Sequence, residues 1–131
     1  MADLPTNRTT SNTPTEHVDD HNTLHGFHNG VTANRQTGSY TLVIGDNNKV
    51  IEMNVGSAND LTVPPNSSVA FSVGTVIEAF QYGAGQTTIV AGSGVTIRSS
   101  GGKLKLTGQY SGASLRKIAT DEWCLVGDIA T

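Results

Sequence analysis

The sequence predicts a mainly β protein: an N-terminal extended arm and a short helix, then a compact antiparallel β-domain of sandwich or barrel-like form that associates with copies of itself. Three observations predict this. From Ser68 to Ile97 the chain is a string of short apolar segments punctuated by glycine, with Glu78 its only charge and Arg98 just past its end. Outside that stretch, apolar and polar residues alternate with the period of half-buried strands. Hydrophobic side chains make up 36% of the 131-residue chain and aromatic ones only 5%, a modest supply for a core. A core built from so little apolar material is thin, and association with further copies makes up the shortfall.

Taken in order, residues 1–15 are polar, hold Pro5 and Pro14 and show no apolar period. This composition suits an arm that orders on a partner, with Leu4, Pro5, Arg8 and Pro14 as its gripping residues. A short helix is expected over residues 16–31. His17, His21, Leu24, His28 and Val31 recur at steps of four and three, a heptad-like seam suited to a trimer axis. Glu16, Asp19 and Asp20 fall in the opening turn, where the helix dipole favours negative charge. Gly26 and Gly30 weaken the helix by up to about 1 kcal/mol each, so it needs partners. His17, His21 and His25 stand four residues apart, which places imidazoles on one helix face. A metal site of this kind needs a further ligand and a shaped pocket. The sequence supplies neither, so the histidines read as seam or surface polars and no metal or other cofactor is expected.

Residues 32–39 read as a polar linker, and 40–131 as the β-domain. Tyr40–Ile44 is a strand followed by the turn Gly45-Asp46-Asn47-Asn48, whose residues tolerate left-handed backbone. Lys49–Val55 puts Ile51, Met53 and Val55 on one face. Leu61–Val63 is a third strand, stopped by Pro64-Pro65, which cannot donate to a ladder and so mark an edge or a corner. Val76–Tyr82 and Thr87–Ala91 form a hairpin across Gly83-Ala84-Gly85, and Gly92-Ser93-Gly94 separates Thr87–Ala91 from Val95–Arg98. Ser99–Gly102 is a turn, and Leu104 and Leu106 alternate with lysines. A final pair, Ser114–Ile118 and Trp123–Val126, is joined by Ala119–Glu122. The expected core is Tyr40, Leu42, Ile51, Phe71, Ile77, Phe80, Ile89, Trp123 and Leu125.

Little in this chain points to catalysis. Acid–base or nucleophilic chemistry needs a nucleophile beside a base, or paired carboxylates in a cleft. The histidines all precede residue 29, and the adjacent Asp121 and Glu122 fall in a hairpin turn. The glycine triplets lack the Lys-Ser/Thr and helix of a phosphate loop. A net charge of −3 lacks the basic footprint of a nucleic-acid binder. No apolar run approaches the roughly 20 residues of a membrane span, and MADLPTNRTT has no signal-peptide core. The lone Cys124, between Trp123 and Leu125, reads as a buried thiol. Tyr82, Tyr110 and Trp123 could stack on sugar rings, but with aromatics at 5% they are expected to serve as core or subunit contacts.

From Tyr40 to Asp128, the segments YTLV, KVIEMN, LTVPPNSSVAFSVGTVIE, GAGQTTIVAGSGVTI and SLRKIATDEWCLVGD resemble the small β-domain of tailed-bacteriophage virion proteins, both fibre-type and capsid-decoration. The upstream VDDHNTLHGFHN resembles the short helical segment, with its D-H-N-x-L-H core, that precedes such domains. The resemblance implies a homotrimer with no catalytic residues. It also implies location on a virion made in the host bacterial cytoplasm. This chain lacks the long shaft of a fibre. The expectation is therefore a decoration protein on the capsid exterior, bound to the major capsid protein. The alternative is a head or tail fibre domain that attaches to a host-surface glycan.

Overall fold

The computed structural model describes residues 30–131. The arm, the histidines and Leu24 lie outside the described residues. Gly30 and Val31, the end of the expected helix, are not helical, and Val31 is exposed. From Thr32 to Thr131 the chain forms one compact unit, and it is mainly β.

Among the described residues, eleven strands make two sheets. They are β1 Ala33–Gln36, β2 Tyr40–Thr41, β3 Val50–Met53, β4 Asn59–Val63, β5 Val76–Gln81, β6 Thr87–Ala91, β7 Thr96–Ser99, β8 Lys105–Leu106, β9 Gly112–Ala119, β10 Glu122–Gly127 and β11 Ile129–Ala130. One sheet, here sheet A, has the order β1-β3-β5-β9-β10-β7; the other, sheet B, has the order β11-β8-β6-β4-β2. Through β8 each strand lies in the other sheet from the one before it, so the chain winds in coils that give one strand to each sheet. The coils stack in parallel register, β1 on β3 on β5 in sheet A and β2 on β4 on β6 in sheet B. Between the second and third coils the offset is constant: Val50 faces Glu78, and Asn59 faces Thr87. The β9–β10 hairpin then closes sheet A, antiparallel to β5 on one side and parallel to β7 on the other.

The expected all-antiparallel domain is therefore corrected to two mixed sheets. The expected hairpin across Gly83-Ala84-Gly85 is corrected too: β5 and β6 belong to different sheets, and these residues turn a coil corner. The corner stacks on the one below it, with Gly83 donating to Met53 O at 3.0 Å and Gly85 to Val55 O at 2.9 Å. A Cβ on Gly83 would strike the Val55 backbone, and one on Gly85 the Ser57 backbone. Glycine is there because two main chains approach closely, a need that looks the same in sequence as a flexible turn. Gly92 plays the same part at the opposite corner, donating to Val63 O at 2.8 Å beside the two prolines.

Two further boundaries move. The expected linker at 32–39 contains β1, a polar strand that pairs with β3 from Ala33↔Val50 to Gln36↔Met53. The expected strand Tyr40–Ile44 pairs only over its first two residues, after which Ile44–Asp46 form a 3-10 turn with Val43 and Ile44 exposed. Asp46 holds this turn. Its buried carboxylate accepts hydrogen bonds from Val43 N at 2.9 Å, Tyr40 Oη at 2.7 Å and Asn34 Nδ2 at 2.8 Å.

Inward side chains of both sheets make one hydrophobic core: Ile51, Met53, Ile77, Leu115, Trp123 and Leu125 from sheet A meet Leu61, Val63, Ile89 and Leu106 from sheet B. Leu42 and Phe71 enter from loops, and Phe71 meets Trp123 edge-on with centroids 5.6 Å apart. Tyr40 packs half-buried against this core. Phe80 does not join it. Ile77 and Phe80, three residues apart on one strand, must point to opposite faces, and burial of Ile77 turns Phe80 outward.

Candidate functional site: the outer face of sheet A

The strand registers order the outward side chains of sheet A into rows. The first runs Arg35, Glu52, Phe80, Gly112 across β1, β3, β5 and β9. The second runs Ala33, Val50, Glu78, Ser114, Val126, reaching β10. The third runs Val76, Arg116, Cys124, Arg98. The face therefore changes character along the strands, from aromatic to aliphatic to basic.

At the aromatic end, Phe80 leans against two tyrosines just beyond the strand ends. Its ring lies 6.4 Å from that of Tyr110, nearly parallel, and 6.5 Å from that of Tyr82, while the two tyrosines meet edge-on at 6.1 Å. The Arg35 guanidinium sits 3.9 Å above the centre of the Tyr82 ring, a cation–π contact. Its Nε donates to Glu52 Oε1 at 3.0 Å, and that bond above all raises the Arg35 pKa beyond its usual value. The loop carrying Tyr110 is pinned on both sides: Tyr110 N donates to Gln81 O at 2.6 Å, and Gln109 Nε2 to Tyr82 O at 3.2 Å. Tyr110 is 63% exposed and Tyr82 37%.

The aliphatic middle is a shallow trough of about 270 Å³, lined by Val50, Glu78, Phe80, Ser114 and Val126 over backbone at Gly112 and Gly127. Gly112 supplies no side chain, so the trough opens directly onto the Phe80 ring. Ser114 Oγ donates to Glu78 Oε2 at 3.3 Å. Val126 is 67% exposed, on the sheet face that faces solvent and usually carries polar residues.

Of the three aromatic residues considered from the sequence for a sugar platform, Tyr82 and Tyr110 come together and Trp123 does not, being 1% exposed in the core. Phe80 takes its place. The sequence signal for this was parity. Val76, Glu78 and Phe80 share one face of β5 and Ile77, Ala79 and Gln81 the other, but both faces look apolar enough to be the core. Arg35 was hidden in an apparent linker. No protein-family model matches the chain, and no curated protein sequence is detectably similar to it.

Among the described residues, no group of three histidine, cysteine or acidic side chains could hold a metal ion. The expected site residues of the arm (Leu4, Pro5, Arg8, Pro14) and the seam (His17, His21, Leu24, His28) lie outside the described residues. Asp121 and Glu122 have separate structural tasks: Asp121 Oδ1 accepts from Asn66 N at 2.7 Å, and Glu122 Oε2 from Arg98 Nε at 2.9 Å. Cys124 is half-buried on the outer face, among the arginines of the third row.

Proposed function

We propose that this chain is a structural, non-enzymatic protein of a tailed-bacteriophage virion. In this reading it is a decoration protein on the capsid exterior, with the arm of residues 1–15 toward the major capsid protein and a sandwich-like β-domain outward, assembled as a homotrimer. The resemblance of the strand segments motivates the reading. The observation that carries it is that Val50 and Val126 of the middle row of sheet A, and Val76 of the row beside it, face outward on a sheet whose core is already filled. Valines turned outward on a sheet with a filled core suit a surface for protein contact. The decisive experiment adds purified chain to bare capsids. Stoichiometric binding is expected, and removal of residues 1–15 should abolish it while the β-domain stays folded. Undiminished binding by the truncated chain would place the capsid contact elsewhere.

A second reading, a head or tail fibre domain that attaches to a host-surface glycan, draws support from the exposed aromatic end of the same face.

A further inference from the structure

We infer that Phe80, Tyr82 and Tyr110 form a binding site for neutral pyranose sugars, with Tyr110 as the ring that stacks on the ligand. The inference deepens the glycan-attachment reading and does not depend on where on a virion the chain resides.

Tyr110 carries the argument. Its φ is 69°, a left-handed conformation that glycine or asparagine adopts readily and a bulky side chain does not. Such backbone persists where the surroundings enforce it, and it gathers at functional sites. Here the enforcing bonds are those from Tyr110 N to Gln81 O and from Ser111 N to Gly108 O. Core packing does not account for the tyrosine, because the ring is 63% exposed. The backbone conformation by itself favours glycine at this position, and the exposed ring adds surface contacts with Phe80 and Tyr82 that glycine would lack.

Three features select a sugar as the occupant. A pyranose presents a C–H face that stacks on an aromatic ring and hydroxyls around its edge that hydrogen-bond. The cluster offers both within one ring's reach: aromatic faces at the centre, and Arg35, Glu52 and Gln109 at the rim. Charge is matched inside the cluster, since Arg35 is paired to Glu52 at 3.0 Å, which favours a neutral ligand over an anionic one. The rings are pre-organised by their mutual contacts and by the pinned loop, which lowers the ordering cost that weakens binding.

The test uses the full chain and NMR observation of the tyrosine and phenylalanine rings. The probes are methyl glucopyranoside, methyl galactopyranoside and neutral oligosaccharides of each, at millimolar concentration. Stacking on a ring face tolerates many pyranoses, so selective shifts of the Tyr82 and Tyr110 rings are expected with at least one series. Tyr110→Gly should weaken that binding by about tenfold or more, equivalent to about 1.4 kcal/mol. Its melting temperature should change little, because relief of the left-handed strain offsets the lost ring contacts with Phe80 and Tyr82. Tyr82→Ala serves as the second variant. No ring shift with any probe overturns the inference. So does a fall in oligomer mass in Tyr110→Gly, which would make the cluster a contact between copies.

Discussion

Trp123 shows how much one residue can carry in a chain with few large side chains. It is 1% exposed, alternates with Leu125 on the inner face of β10, and meets Phe71 edge-on. Truncating such a side chain costs about 3–5 kcal/mol, much of a typical domain stability of roughly 5–15 kcal/mol. Trp123→Ala should therefore lower the melting temperature sharply, and Trp123→Phe much less, in thermal denaturation followed by circular dichroism. Tyr40 gives a pH prediction. Burial first, then its hydrogen bond to the Asp46 carboxylate, raise its phenol above the ordinary 10.0. The fold thus favours the neutral phenol. Its contribution is fully present below about pH 10 and is lost as pH rises through the raised folded value. Melting temperature should fall above pH 10 in the native chain, and Tyr40→Phe should show a shallower alkaline decline after a lower start at neutral pH. An equally steep decline in the variant would assign the effect to other groups. Lys117 is the third residue of this kind: 2% exposed, it donates to Asn66 Oδ1 at 2.6 Å and Phe71 O at 2.7 Å. It ties the long β4–β5 connection to β9.

At the scale of elements, the glycine corners decide the architecture. A two-residue turn would have folded β6 back onto β5. Instead the corner at Gly83–Gly85 carries the chain across to the other sheet and stacks on residues 55–57. Asn59 fixes the same corner from below, its Nδ2 donating to Gly85 O at 3.2 Å while its Oδ1 accepts from Thr87 Oγ1 at 2.7 Å. Gly85→Ala must push two backbones apart and should cost about 1–3 kcal/mol, the usual range for overpacking. Gly56→Ala, where an added Cβ meets nothing within 4 Å, should be neutral or slightly stabilising through the unfolded state. Chemical denaturation of the two variants side by side checks this. Equal stabilities would remove the close-approach account of the glycines.

For the whole molecule, the outer face of sheet A poses the question of partners. Its core is complete without a second chain, yet its aliphatic row stays in water. The proposed homotrimer predicts a mass of about three times the 13.7 kDa chain by native mass spectrometry. Val126→Lys places a charge on that row at a 67% exposed position. It should lower the trimer fraction and leave the monomer's circular dichroism unchanged. A monomeric native chain would refute the trimer, and a trimer indifferent to Val126→Lys would move the interface off this row.

Local chemistry by itself determined that the protein is mainly β, where most strands lie, and which face of several of them is buried. Ile51 and Met53 alternate with Glu52 and Asn54, and Trp123 and Leu125 share one face of β10 while Cys124 and Val126 take the other, a period-2 pattern that belongs to the strand alone. Polar β1 was invisible because its strand state comes from the ladder to β3, a contact 17 residues away along the chain (Ala33↔Val50). Parallel pairing was invisible for the same reason: whether Gly83-Ala84-Gly85 reverses the chain or turns a corner depends on whether residues 53–57 lie beneath it. The aromatic cluster joins Arg35, Phe80, Tyr82 and Tyr110 from separate strands and a distant loop, and only the stacking of coils brings them to one end of one sheet. Alternation along a strand is written in neighbouring residues, whereas register between strands is a long-range choice made by the fold.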